Sequence, residues 1–328
     1  MNLTPDHLHS LLAAPAPAAW EDIRSHLVSV WADPYAPLHA LAEARARDES
    51  LARLELALSH SVWPLWNDFS SSVPRVSTRL AESWKTHAGG CAVLILDALS
   101  LREMPVLLQG AKDAGFTIHL TDVVASELPP ETTTVAKALG FSSRAALENN
   151  GGKSPLFPGA FTATNGLPWE DAAANISHSP GILYWHQWMD EDVHLCTAVN
   201  GGFDAFFKKA CQGLTAESFW AFIRKLATGR RVIITSDHGY ARTSGFHNAG
   251  PDEKDDLREQ FAAQRFRSGE IKTREWLPPL ALTLPTATGP ITFVTGRRKW
   301  AVPGGFPMLT HGGLTLMDVF VPWLELSL

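Results

Sequence analysis

Two short apolar runs, each followed by an aspartate, constrain the fold of this chain more than any other feature. The first is Cys91–Leu96, which Asp97 follows, and the second is residues 231–236, which Asp237 follows. Short runs of this kind are typical of central parallel strands whose two faces are both covered. Open α/β sheets present ligands at the carboxyl ends of such strands. The sequence therefore predicts that both aspartates lie at one edge of a mostly parallel sheet.

The segment from residue 89 to residue 328 continues this alternation. Strand-like runs recur at 117–124, 181–185, 231–235 and 291–295. Helix-like stretches lie between them at 99–114, 133–139, 202–214 and 216–227. The alternation predicts an α/β domain with a mostly parallel sheet and helices on both faces. Two stretches without strong periodicity, 142–171 and 244–277, are expected to be surface excursions that carry lids or partner contacts.

Residues 1–88 have a different pattern, which predicts a smaller helical amino-terminal region. Apolar residues recur there at helical spacing, namely Leu38, Leu41, Ala44, Leu51, Leu54 and Leu58. Pro15 and Pro17 remove backbone donors and predict a linker between short helices. The Gly89-Gly90 pair precedes the first apolar run, so the domain boundary is placed there.

Composition narrows the functional classes. The net charge of −6 provides no overall positive field that would hold the protein on DNA or on an anionic membrane. The three cysteines are isolated, which favours a reducing compartment. The first residues have neither a basic flank nor an apolar run, and no segment reaches the length of a spanning helix. These features predict a cytoplasmic protein without a membrane partner.

Acidic residues and histidines with metal-ligand spacing recur along the chain. His238 directly follows Asp237, and an oxygen ligand beside an imidazole suits zinc or manganese. Asp190 and His194 are four residues apart, so one helical turn would bring them to one face, although a solvated helix face explains the same spacing. His311 precedes two glycines that permit a tight backbone around an ion. Six residues are sufficient to hold two divalent ions, namely Asp97, Asp190, His194, Asp237, His238 and His311. Zinc is favoured, and manganese or magnesium is the alternative.

A hydroxyl nucleophile is predicted in the loop at residues 128–134. Thr132, Thr133 and Thr134 lie where that loop leads into a helix-like stretch, and a hydroxyl there could be activated by a metal ion. The run of three threonines leaves the choice among them open. The alternative is that these threonines only cap the helix.

The order of these motifs resembles the PglZ family of the alkaline-phosphatase superfamily. The resemblance covers about residues 90–328, and its most specific parts are Ser236-Asp237-His238-Gly239 and the segment that begins His311-Gly312-Gly313. It implies an alkaline-phosphatase-like fold and one metal site formed by Asp97, Thr132, Asp237 and His238. It implies a second site formed by Asp190, His194 and His311, with Thr132 as a nucleophile that becomes phosphorylated. In this family Arg102 would be expected nearer to Asp97, which leaves its role as a phosphate contact in doubt.

The resemblance also implies a function and partners. Relatives of this kind include phosphodiesterases and nucleases associated with phage defence. We therefore expect a phosphodiester substrate, such as a nucleotide, a cyclic oligonucleotide or a nucleic acid, and other phage-defence proteins as partners. The alternatives are a phosphomonoesterase, or a scaffold subunit of a defence complex that has no catalytic activity.

Several positive groups could contact a phosphodiester. The cluster Arg297, Arg298 and Lys299 follows a strand-like run, and Lys137 and His186 are weaker choices. A solvated turn explains the basic cluster equally well.

Overall fold

The computed structural model describes residues 5–36, 38–196, 202–244, 246, 249–272, 274–303 and 305–328. Residues 1–4 lie outside these ranges, and the expectation that the chain has no leader rests partly on them. Residues 245, 247, 248 and 273, which belong to the stretch 244–277, also lie outside these ranges. No helix in the described ranges combines the length and the apolar character that crossing a bilayer requires.

The described helices and strands follow in chain order. The helices are α1 (Pro5–Ala13), α2 (Ala16–Trp31), α3 (Ala40–His60), α4 (Phe69–Ser72), α5 (Val76–Thr86), α6 (Met104–Asp113), α7 (Thr132–Ala138), α8 (Trp169–Ala174), α9 (Asp190–Leu195), α10 (Gly202–Thr215), α11 (Glu217–Ala227), α12 (Pro251–Phe261) and α13 (Leu316–Val319). The strands are β1 (Cys91–Leu96), β2 (Thr117–Ala125), β3 (Phe161–Asn165), β4 (Gly181–His186), β5 (Arg231–Thr235), β6 (Ala241–Arg242), β7 (Phe266–Ser268), β8 (Ala281–Thr286), β9 (Gly289–Val294), β10 (Leu309–Thr310) and β11 (Phe320–Ser327).

The main sheet has six strands in the order β2-β11-β5-β1-β4-β3. Strand β1 pairs in parallel with β4 and β5, and β3 pairs in parallel with β4. Strand β11 is antiparallel to both β5 and β2. The prediction of an α/β fold with a mostly parallel sheet is confirmed. The predicted strand at 291–295 corresponds to β9, but β9 belongs to a separate antiparallel sheet with β7 and β8.

Strand β1 shows why helices cover both faces of the sheet. Its residues are all buried, and successive side chains point to opposite faces. Ala92, Leu94 and Leu96 join the core that contains α6, α10 and α11, whereas the alternate residues Cys91, Val93 and Ile95 join the core that contains α5 and α7. The sheet is therefore a central layer between two apolar cores.

Helices α2 and α4 of the amino-terminal region contribute to the core that contains α6, α10 and α11. Trp20 of α2 packs on Phe69 of α4 with ring centroids 4.7 Å apart, and Phe69 packs on Phe320 of β11 at 5.7 Å. Strand β11 lies beside β5, whose carboxyl end carries Asp237. The helical region thus packs directly against the sheet that positions the site.

The expectation that residues 142–171 form only a surface excursion is wrong. This stretch contains β3, an edge strand of the main sheet, and the buried side chains of Leu147 and Phe157. The polar and glycine-rich composition of this stretch did not indicate a strand. An edge strand can have such a sequence because it pairs with only one neighbouring strand.

Candidate metal-binding site

Asp97 and Asp237 lie next to each other at the carboxyl ends of β1 and β5. Ser236 connects the two strand ends, since its hydroxyl oxygen accepts a hydrogen bond from the Leu99 amide at 2.9 Å and lies 2.7 Å from the Leu96 carbonyl, to which it can donate. The Ala98 amide donates to Oδ1 of Asp237 at 3.1 Å. Parallel pairing and these bonds fix the two strand ends and the Asp237 carboxylate. Both aspartates are completely buried.

His238 directs its Nε2 at these carboxylates. Its Nδ1 lies 3.0 Å from the carbonyl oxygen of Gly239, and since a carbonyl can only accept, Nδ1 carries the proton. Nε2 then faces Oδ1 of Asp97 at 3.7 Å and Oδ2 of Asp237 at 3.5 Å. A histidine oriented through Nδ1 to a backbone carbonyl is the arrangement that metal-binding imidazoles use.

A second group of ligands lies beside the first. Nε2 of His194 is 3.4 Å from Oδ1 of Asp190 and 3.3 Å from Nε2 of His311. Nε2 of His311 is 4.0 Å from the same Oδ1 of Asp190. The spacing of Asp190 and His194 therefore brings both side chains to one face of α9, as predicted. The His194 side chain is 61% exposed, so it lies at the open side of the group.

His311 and His238 join the two groups. Their rings are stacked, with centroids 4.3 Å apart and an interplanar angle of 18°. Ligand atoms of Asp190, His238 and His311 converge, as do those of Asp97, Asp237 and His238. His238 thus contributes to both clusters, whereas the resemblance implies that it belongs to the first site alone.

The electrostatics of the clusters favour a bound cation. Burial, followed by the charges of Asp237 and Asp190, raises the pKa of Asp97 well above its usual value, although Arg144 acts in the opposite direction. Burial, with the neighbouring His238 and His194, lowers the pKa of His311 well below its usual value. Apart from the nearby imidazole nitrogens, Oδ1 of Asp190 is buried without a hydrogen-bond partner. Carboxylates and neutral imidazoles that converge in this way fit a divalent cation of the zinc or manganese type.

Thr132 stands at the start of α7 with its hydroxyl directed at the first cluster. Oγ1 donates to Oδ2 of Asp237 at 2.7 Å and lies 3.3 Å from Oδ1 of Asp97. Thr133 is exposed, and the Thr134 hydroxyl donates to Glu131. Of the three threonines, it is therefore Thr132 that faces the aspartates.

Arg144 is a site residue that the sequence analysis did not identify. Its Nη1 donates to Oδ2 of Asp97 in a close ion pair. Arg144 lies in a polar stretch without helical or strand periodicity, so no sequence signal connects it with Asp97, which is 47 residues away. Only the position of that stretch beside the sheet could have revealed it.

The basic cluster at 297–299 does not reach the site. Arg297 is buried and pairs with Asp48 at 2.9 Å and with Glu55, so the prediction that it contacts substrate is wrong. Arg298 is also buried, with Glu253 as the charge that acts on it. Lys299 is half-buried, and the described ion pairs of the site do not include it.

Arg102 belongs to the same buried network as Arg297. Its guanidinium pairs with Asp48 and donates to the carbonyl of Tyr240 at 2.7 Å. Asp48 also forms an ion pair with Arg242, at 3.0 Å. Arg102 therefore holds α3 against the strand ends and is not available to a phosphate.

The remaining weak choices for phosphate contacts have other environments. Lys137 is exposed on α7. His186 is buried, with Nε2 donating to the Leu167 carbonyl at 2.9 Å and Nδ1 accepting from the Trp188 amide at 3.0 Å. The prediction that His186 could contact substrate is wrong, because both ring nitrogens have backbone partners.

His186 should make the stability of the protein depend on pH. Burial lowers the pKa of His186 from 6.5 to about 4, so the unfolded chain binds the extra proton first as the pH falls from about 6.5 to 4. We expect the free energy of unfolding to decrease by about 2 kcal/mol from this residue between pH 7.5 and pH 5. Urea denaturation at the two pH values measures the decrease. It should shrink in His186→Asn but not in His178→Asn, which changes an exposed histidine; equal decreases in both variants would contradict the assignment.

Gly239 is required by the packing of the chain after β5. A Cβ at this position would collide with the carbonyl oxygen of Met317 in α13. The Gly239 amide donates to the carbonyl of Asp318 at 3.0 Å. The glycine therefore lets the chain after β5 approach the tail that carries His311.

No protein-family model matches this chain, and no curated protein matches it.

Proposed function

We propose that the protein is a metal-dependent phosphoester hydrolase that uses Thr132 as its nucleophile. One observation supports this most strongly: the Thr132 hydroxyl donates to Asp237 and lies beside Asp97, within a cluster of candidate metal ligands. A purely structural cap would satisfy the helix backbone, yet the Thr132 hydroxyl faces two buried carboxylates.

Two divalent cations are proposed as cofactors. The first would be held by Asp97, Asp237 and His238, and the second by Asp190, His194 and His311. Zinc suits the three histidines best, and manganese or magnesium is the alternative. When bound, such cations would neutralise the carboxylates, lower the pKa of a nearby hydroxyl and offset charge on a phosphoryl group.

The side chains of this chain would perform the substitution at phosphorus in two steps. Thr132 Oγ1 would lose its proton to Asp237 Oδ2, the nearest acceptor, and form a bond to phosphorus while the bond to the leaving oxygen breaks. The leaving group would depart as an alkoxide and take a proton from water. The resulting hydroxide would attack the phosphothreonine and release phosphate or a phosphomonoester, and the proton on Asp237 would return to Thr132 Oγ1. Asp97 and Asp237 position the hydroxyl for the first step, because both lie at paired strand ends and the Ala98 amide holds Asp237.

The PglZ resemblance supports a phosphodiester as the substrate class, such as a nucleotide, a cyclic oligonucleotide or a nucleic acid. It also suggests phage defence as the setting, with other defence proteins as partners. The net charge of −6 disfavours tight nonspecific binding of long DNA, so small or presented substrates are preferred.

Two alternatives remain distinct from this proposal. A phosphomonoesterase would use the same ligands and differ in its substrate pocket. A defence-complex scaffold would need neither Thr132 nor the metal ligands. The convergence of the ligand atoms favours an enzyme, because a scaffold requires no such arrangement.

The test is hydrolysis by protein that has been chelated and then supplied with zinc, manganese or magnesium. Bis-p-nitrophenyl phosphate reports diester cleavage, and p-nitrophenyl phosphate reports monoester cleavage. We expect metal-dependent turnover with a preference for the diester. A monoester preference would assign the protein to the phosphatase alternative, and no turnover with any of the metals would contradict the proposal and favour the scaffold.

A further inference from the structure

Arg144 brings a cation into direct contact with the first cluster of candidate ligands. Among the described residues, Arg144 is the sole lysine or arginine that forms an ion pair with Asp97, Asp190 or Asp237. The arginines predicted from sequence are excluded, since the Arg102 and Arg297 side chains are fully buried and paired with Asp48.

The position of Arg144 relative to Thr132 is the informative feature. Both side chains contact the same carboxylate: Arg144 Nη1 donates to Oδ2 of Asp97, and Thr132 Oγ1 lies 3.3 Å from Oδ1. The guanidinium and the hydroxyl therefore flank one carboxyl group. A phosphoryl group attached to Thr132 would lie beside the guanidinium.

Access also distinguishes Arg144 from Asp97 and Asp237. Asp97 and Asp237 are completely buried, whereas the Arg144 side chain is 26% exposed. Its segment is anchored by Leu147, which is fully buried in the core on that face of the sheet. The guanidinium is thus held at the open side of a buried cluster, where a substrate must enter.

We infer that Arg144 binds the non-bridging oxygens of the substrate's phosphoryl group, an inference that rests on the proposed function. The planar guanidinium offers paired donors that match two phosphoryl oxygens, and both phosphodiesters and phosphomonoesters have such a pair. A cation held by Asp97 would supply the counter-charge that Arg144 now provides. The guanidinium would then be free to contact the phosphoryl oxygens.

A solely structural role for Arg144 makes different predictions. If Arg144 only neutralises Asp97, its removal should lower stability and leave anion binding by the metal-loaded protein unchanged. If Arg144 contacts phosphate, its removal should weaken anion binding. Zinc binding should stay the same or strengthen, because a competitor for Asp97 is lost.

The experiment measures binding of inorganic phosphate to zinc-loaded protein by calorimetry, together with zinc affinity and kcat/KM for bis-p-nitrophenyl phosphate. The variants are Arg144→Ala and Arg144→Lys, and the control is Arg53→Ala, which removes an exposed arginine of α3. We expect Arg144→Ala to weaken phosphate binding and reduce kcat/KM by about 10- to 100-fold, with Arg144→Lys intermediate and Arg53→Ala unchanged.

Phosphate affinity in Arg144→Ala equal to that of wild type would overturn the inference, as would a wild type that binds no phosphate. A different result would contradict the proposed function without contradicting the inference about Arg144. Wild type that binds phosphate through Arg144 but cleaves neither ester would refute the hydrolase and leave the inference standing. Metal-dependent turnover with Arg144→Ala as active as Arg53→Ala would refute the inference alone.

Discussion

Replacing Thr132 with alanine is expected to reduce kcat by about 1,000-fold or more while the protein stays folded and binds metal. The variant loses the oxygen that would bond to phosphorus, but Asp97, Asp237 and His238 keep their positions because backbone contacts hold them. Hydrolysis of bis-p-nitrophenyl phosphate measures the loss, and zinc titration checks the ligands.

Thr133→Ala is the matched control for this change. Thr133 has the same side chain one residue away, but it is exposed rather than directed at the aspartates. We expect Thr133→Ala to have nearly the activity of wild type. Full activity in Thr132→Ala would contradict the nucleophile assignment, and loss only in Thr133→Ala would move the nucleophile by one residue.

Replacing Asp48 with asparagine is expected to lower the free energy of unfolding by about 3–5 kcal/mol. Burial alone would raise the pKa of Asp48. The guanidinium groups of Arg102, Arg297 and Arg242 nevertheless hold this pKa below its usual value. Asparagine keeps the volume but leaves these buried cations without their shared carboxylate. Urea denaturation near neutral pH measures the change.

Glu49→Gln is the control for Asp48→Asn, since it alters the neighbouring acid on the same helix. Glu49 is 65% exposed and pairs with Arg242 at a longer distance of 3.5 Å. An exposed pair of this kind contributes less than about 1 kcal/mol. If the two variants were equally stable, the buried network would not be what fixes α3 to the strand ends.

The sequence predicted the positions of Asp97, Asp237 and His238 because their signal is local. A strand buried on both faces reads as an apolar run, and the residue after it must lie at the sheet edge. The same reasoning placed Asp190 and His194 on one face of a helical turn. Local periodicity thus accounts for most of the ligands that the structure brings together.

What the sequence did not predict depends on contacts between distant residues. Arg297 was predicted to contact substrate, with a solvated turn as the alternative, because its partners Asp48 and Glu55 lie more than 240 residues earlier in the chain and could not be foreseen. Arg144 was overlooked because its loop has no periodicity. Strand β11 was not recognised either, and its antiparallel place between β2 and β5 follows from the path of the whole chain.

The sharing of His238 between the two clusters is a further result of tertiary packing. Its ring stacks on that of His311, which is 73 residues later and follows β10. Strand β10 pairs with β6, which begins three residues after His238. This pairing brings His311 to the first cluster, and neither motif alone indicates it.

Anomalous X-ray scattering at the zinc edge, from crystals of zinc-loaded protein, would locate the metal ions in the site. We expect one peak among Asp97, Asp237 and His238 and a second among Asp190, His194 and His311. Crystals that diffract well but show no anomalous peak at either group would contradict a catalytic metal centre at these strand ends.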